Sequence, residues 1–131
     1  MTTSLTEIST PNAPAAIGPY SQGVAFNDLI FISGQLGLDP KQGTLVGPDV
    51  LNQTQQILHN LTAIAEAAKT PLSRLLKLTI YLVDLADFDA VNLLLQQSLN
   101  LPYPARTTIG VNSLPKGARV EIDAILAKAD G

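Results

Sequence analysis

The strictest constraint on this chain is the alternation within residues 104–127, PARTTIGVNSLPKGARVEIDAILA. A period of two belongs to strands that bury one face. From Arg119 to Leu126 the period is unbroken: Val120, Ile122, Ala124 and Leu126 share one face, and Arg119, Glu121 and Asp123 the other. An earlier run places Thr107, Ile109 and Val111 on one face and Arg106, Thr108 and Gly110 on the opposite one. Leu114-Pro115-Lys116-Gly117, between the runs, reads as a tight turn. Pairing the two strands through that turn, apolar faces together, predicts that Arg106, Thr108 and Glu121 point to the same side of the sheet.

The remainder supplies the other layers. Residues 4–9 suit a short opening strand, and residues 10–19, with Pro11, Pro14, Gly18 and Pro19, a loop. Val24–Phe26 and Leu29–Ser33 flank Asn27-Asp28, which predicts a two-residue hairpin turn without glycine at its second position. Gly34 and Gly37 predict a bulge or a close backbone approach at the end of that strand, and residues 39–48 an exposed loop. Asp49 caps a helix over 50–68, with Ile57, Leu58, Leu61, Ile64, Ala65 and Ala68 on one face and Thr70-Pro71 at its end. Leu76 to Val83 alternates as a strand with Leu76, Leu78, Ile80 and Leu82 on one side. Asp87 caps a helix over 88–98 that turns Phe88, Val91, Leu94 and Leu95 inward.

The order β-β-β-α-β-α-β-β predicts an α+β fold: a mixed, mostly antiparallel sheet with two helices on one face, in a single domain over 1–131. Two helices cover one sheet face and leave the other, with Thr79 and Tyr81, unpartnered. Only 15% of residues are charged, against about 25% in an ordinary domain. The low charge fits either a neutral monomer surface rich in Ser, Thr, Asn and Gln or a surface partly buried against other subunits. Packing of the uncovered face is expected because it accounts for both features.

Composition also excludes chemistry. With no cysteine and one histidine, thiolate metal sites, cysteine nucleophiles and histidine clusters are absent. His59 reads as a surface or boundary residue of the first helix. Asp84, Asp87 and Asp89 lack the spacing of a calcium loop, and no phosphate-binding glycine motif occurs. Neither metal nor nucleotide is implied. A net charge of −3 without a Lys/Arg cluster argues against nucleic-acid binding. Met1-Thr2-Thr3-Ser4 does not open a secretory signal, and no apolar run reaches ~18 residues; a soluble cytoplasmic protein is expected.

Arg106 suits a bidentate carboxylate clamp, and Glu121 could position or activate water. Opposite charges on one sheet face equally make a structural ion pair, and the two residues alone leave both readings open. Ser33 and the amides near Gly34 could meet a ligand or simply form a turn. Tyr20 could cover a pocket or pack in the core.

Several blocks, in order, carry a resemblance over essentially the whole chain. They are Ile17-Gly18-Pro19-Tyr20-Ser21-Gln22, Phe31-Ile32-Ser33-Gly34-Gln35, Gln53-Thr54 with Asn60-Leu61, Tyr81-Leu82-Val83-Asp84 before Asp87-Phe88, Pro104-Ala105-Arg106 and Val120-Glu121-Ile122. The chain resembles the RidA/YjgF family of enamine/imine deaminases. The resemblance implies a chorismate mutase-like homotrimer with sheets lining a central barrel and pockets at subunit interfaces. It implies cofactor-free hydrolysis of 2-aminoacrylate and related enamines or imines to 2-oxo acids and ammonium. Arg106 would hold the substrate carboxylate and Glu121 orient water, with Tyr20, Ser33, Gly34 and Thr108 lining the pocket and Asn92 as the family's helix asparagine. Thr108 replaces a common cysteine, Thr107 a smaller residue and Lys69 a glycine, and the segment from Asn92 to Arg106 is short for the family. The competing reading is a non-catalytic binder of small carboxylates or 2-oxo acids with a regulatory role. Ribonuclease activity, attributed to some relatives, is disfavoured by the acidic charge.

Overall fold

In the computed structural model, residues 4–130 are described. Met1-Thr2-Thr3, read above for a targeting signal, and Gly131 lie outside the described residues. The chain runs β1 (Thr6–Ile8), β2 (Gly23–Phe26), β3 (Leu29–Gln35), α1 (Val50–Ala67), β4 (Leu75–Leu82), α2 (Phe88–Ser98), β5 (Ala105–Gly110) and β6 (Val120–Ala127). Single 3-10 turns interrupt the connections at Leu72–Arg74, Leu85–Asp87 and Pro115–Gly117. The β2–β3 hairpin closes on Asn27-Asp28, with the left-handed φ of 54° on Asn27. Asparagine tolerates that conformation, so no glycine is needed at the second position.

The strands form one six-stranded sheet in the order β1-β2-β3-β6-β4-β5. Each neighbouring pair is antiparallel except β4–β5, which is parallel. This corrects the expected β5–β6 pairing: β4 lies between those strands and is hydrogen-bonded to both. A strand, a helix and a return strand form a crossover unit whose two strands pair in parallel. So α2 delivers β5 to the edge beside β4. Residues 111–119 then cross the end of β4, where Val111 N–H donates to Leu82 O (2.8 Å) and Val83 N–H to Arg119 O (3.3 Å).

Both helices pack on one face. Ile57, Leu61 and Ile64 of α1 meet Ile30, Leu78, Ile80, Ile122 and Leu126 of the sheet, all essentially inaccessible to water. Burial of each such side chain stabilises the fold by about 1.5–3 kcal/mol. Leu76, expected inward, is 45% exposed. A register shift between Leu75 and Lys77 lets Leu75 take the inward place. Asp87 begins α2 without a side-chain cap, because its carboxylate accepts from Arg119 Nη2 at 2.7 Å. No helix among the described residues is long and apolar enough to cross a membrane.

Buried amides tie the long loop after β3 to α1. Asn60 Nδ2 donates to Leu36 O (3.2 Å) and Leu38 O (3.1 Å). Gln53 donates to Gly47 O (2.8 Å) and accepts from Arg119 N–H (2.9 Å). Gly37 is the close approach expected from its residue type, since a Cβ there would lie 2.6 Å from Gln53 Cα.

α1 ends at Lys69, whose φ is 56°. Lys69 N–H bonds to Glu66 O and Thr70 N–H to Ala65 O, a left-handed terminus that glycine adopts without cost. Lys69→Gly is therefore expected to raise stability by about 0.5–1 kcal/mol, read as a higher midpoint in urea denaturation at fixed protein concentration.

Candidate functional site

Residues directly opposite one another on paired strands share a sheet face. Arg106 stands opposite Leu78, and Thr108 opposite Ile80, so both lie on the helix side. Glu121 stands opposite Tyr81, as does Ile109, on the uncovered side. The expected shared face for Arg106 and Glu121 is thus corrected: they lie on opposite faces. They are also separated by two strand spacings, about 9–10 Å, and by three residues along the strand, roughly 10 Å. The five residues named with them divide into two clusters.

The first cluster surrounds Glu121. On β3 two residues, Ser33 and Gly34, occupy the stretch that a single residue, Asp123, spans on β6, between the pairs Ile32↔Ala124 and Gln35↔Ile122. This is the bulge that the glycines predicted. A Cβ at Gly34 would collide with the Glu121 carboxyl, 2.9 Å from its Cδ; glycine there lets the acid lie against the backbone. Ser33 Oγ donates to Ser21 O at 2.6 Å, so its hydroxyl holds the incoming loop and only its lone pairs face outward. Tyr20 is half-exposed on the same groove, its hydroxyl accepting from Ile17 N–H at 3.4 Å. The groove has a volume of about 680 Å³, and Lys41 and Lys116 are its cationic members.

Gln22 makes this wall and went unassigned by sequence reasoning. Its buried amide accepts from Thr10 N–H (2.7 Å) and donates to Pro14 O (2.8 Å), Thr10 O (3.1 Å) and Ala13 O (3.2 Å). One side chain thereby replaces the secondary structure that residues 10–14 lack. Its signal was its place directly after Tyr20-Ser21.

The second cluster surrounds Arg106 on the edge strand. Its Nη2 donates to Asn92 Oδ1 at 2.6 Å, and its Cζ lies 5.5 Å from the centroid of the Phe88 ring. Phe88, expected in the core, is instead 37% exposed beneath the guanidinium. Asn92 orients the cation, leaving the other guanidinium nitrogens for a bidentate acceptor. A pocket of about 260 Å³ opens beside them, walled by Leu78, Leu95, Leu99, Tyr103 and Pro104. The Thr108 hydroxyl is buried without a partner among the described residues.

Burial pushes the Glu121 carboxyl above its ordinary value of 4.5, and the negative charge of Asp123 adds to the rise. An acid so placed can exchange a proton closer to neutrality than a surface carboxylate.

A family model described as endoribonuclease L-PSP matches residues 10–128. The chain belongs to this family. It is the RidA/YjgF grouping that the sequence blocks resembled. A Capra hircus protein named 2-iminobutanoate/2-iminopropanoate deaminase is 48% identical over 118 residues, spanning 90% of this chain and 86% of that protein. The solved YjgF gene product of E. coli superposes with a TM-score of 0.89 at 41% identity, covering 95% of this chain and 99% of the other. E. coli TdcF with bound serine superposes at 0.88 and 36% identity over the same shares. The RidA-type fold is thus shared at high coverage.

A raised carboxyl carries a stability signature. The native state holds the Glu121 proton to higher pH than the unfolded chain, so this contribution is present below the unfolded value and lost as pH rises through the folded one. Glu121→Gln is expected to be more stable than wild type at neutral pH, with the difference vanishing as pH falls below about 4.5. Denaturant melts across that range measure it.

Proposed function

We propose that this protein hydrolyses reactive 2-imino acids and their enamine tautomers, such as 2-aminoacrylate, to 2-oxo acids and ammonium, within a homotrimer. The observation that carries the reading is the division of the clusters: Arg106 and Glu121 occupy opposite faces of one sheet. A single site containing both needs two copies of the chain. The uncovered face, with Phe31 44% and Ile109 42% exposed, offers the apolar surface for that contact. Relatives named as imine deaminases and one solved with serine, itself a small amino carboxylate, support the substrate class.

In this reading Arg106 of one copy clamps the substrate carboxylate, held in line by Asn92 and Phe88. Glu121 of the neighbour faces the imine carbon across the groove. An enamine first accepts a proton on its terminal carbon and becomes the iminium. Water then adds to the iminium carbon, the one bonded to nitrogen, giving a proton to Glu121 while the C=N electrons pass to nitrogen. Glu121 returns the proton to the amine nitrogen of the tetrahedral carbinolamine. The C–N bond breaks, the hydroxyl proton leaves with the departing ammonia, and 2-oxo acid and ammonium result. The carbon is already electrophilic, so placement and one proton relay suffice. The raised Glu121 carboxyl suits a group that must both take and return a proton.

The test is to generate 2-aminoacrylate with a serine dehydratase and time its disappearance. Wild type accelerates the loss, and Arg106→Ala and Glu121→Ala each lower kcat/KM by about 10²-fold or more. No acceleration by wild type contradicts the deaminase reading. Full activity in Arg106→Ala contradicts the clamp.

A further inference from the structure

The uncovered sheet face holds a second acid that the mechanism does not use. Glu121 and Asp123 are two residues apart on β6, so their side chains emerge on the same face, roughly 7 Å apart along the strand. Tyr81 stands opposite Glu121 on β4, and its hydroxyl reaches diagonally to donate to Asp123 Oδ2 at 2.8 Å. That diagonal bond fixes where the Asp123 carboxylate sits. The phenol's affinity for its proton is raised above the usual 10.0, first because the proton is donated to Asp123, then through burial and the charges of Asp123 and Glu121. It is therefore a permanent donor over any working pH.

We propose that Tyr81 and Asp123 are a positioning pair that holds a second carboxylate beside Glu121 and so sets the pH range over which Glu121 handles its proton. The inference deepens the deaminase reading and rests on the role given there to Glu121. Neither residue touches substrate; both act through Glu121.

The other charged and titratable groups around Glu121 define what this pair must overcome. The loop after β3 brings Lys41, the Pro115–Gly117 turn brings Lys116, and the segment before β2 contributes the Tyr20 phenol. Arg119, two residues before Glu121, is already bonded to Asp87, and Lys77 on β4, opposite Ile125, lies on the far side of Asp123. In the proposed trimer, Arg106 of the neighbouring copy adds another cation. These cations favour the ionised acid. The net direction at Glu121 is nevertheless upward, with burial and Asp123 as its causes. Asp123 adds its negative charge to the burial that opposes the cationic rim, and removing it leaves burial alone to do so.

Asp123→Asn, Asp123→Glu and Tyr81→Phe test the pair. In ¹³C NMR titrations of the side-chain carboxyl of Glu121, Asp123→Asn moves the midpoint to lower pH. Asp123→Glu restores it towards wild type, and Tyr81→Phe, which frees the Asp123 carboxylate, gives a smaller shift than Asp123→Asn. The acidic limb of the kcat/KM profile for 2-aminoacrylate loss moves in parallel. A Glu121 midpoint unchanged in Asp123→Asn overturns the inference, as does an equal lowering in Asp123→Glu. The titration needs no turnover, so its result is distinguishable from a failure of the deaminase reading, which is seen in wild type alone. Should Asp123→Asn not fold, an unshifted midpoint in Tyr81→Phe overturns the inference by itself.

Discussion

β4 occupies the middle of the functional half of the sheet, hydrogen-bonded in parallel to β5 and antiparallel to β6. Every other property of the two clusters depends on that double pairing. It places Arg106 opposite Leu78, facing α2, and Glu121 opposite Tyr81, facing away from the helices. A side chain cannot change face without a one-residue slip of register, and a slip would expel Leu78, Ile80 and Leu82 from the core. Hydrophobic burial thus determines where the two charges stand. The proposed site draws on more than one chain for this reason, because only a second copy can bring the faces together.

Within each cluster, packing prepares a charged group for one task. Arg106 is oriented by Asn92 and backed by Phe88, so in the proposed clamp little side-chain freedom remains to be lost on binding. Glu121 lies against Gly34 in a half-buried position that raises its proton affinity. That burial works against stability at neutral pH, a cost consistent with an acid kept for chemistry. The groove wall opposite is a loop, yet Gln22, Asn60 and Gln53 give its backbone the hydrogen bonds that a sheet would otherwise supply.

Local signals carried much of this. Helical spacing located both helices, Asn27-Asp28 the β2–β3 hairpin and the glycines the bulge at Gly34, while Asn92 was named only through the family resemblance. The partner of β5 was not legible. Its two faces, Arg106-Thr108-Gly110 and Thr107-Ile109-Val111, are both mixed, so alternation says which residues share a face but not which face turns inward. The crossover through α2 decided it. Asp87 read as a cap because its type fits, but Arg119, distant in sequence, claimed its carboxylate. Phe88 read as core because a ring beneath a guanidinium leaves no mark in hydrophobic spacing.

The central claim is that one working site takes Arg106 from one copy and Glu121 from another. Co-refolding equal amounts of Arg106→Ala and Glu121→Ala chains tests it most directly. In a cyclic trimer every mixed assembly then contains one intact site, and random mixing restores about a quarter of wild-type 2-aminoacrylate turnover. A mixture that assembles into trimers yet stays as inactive as either parent would contradict the account.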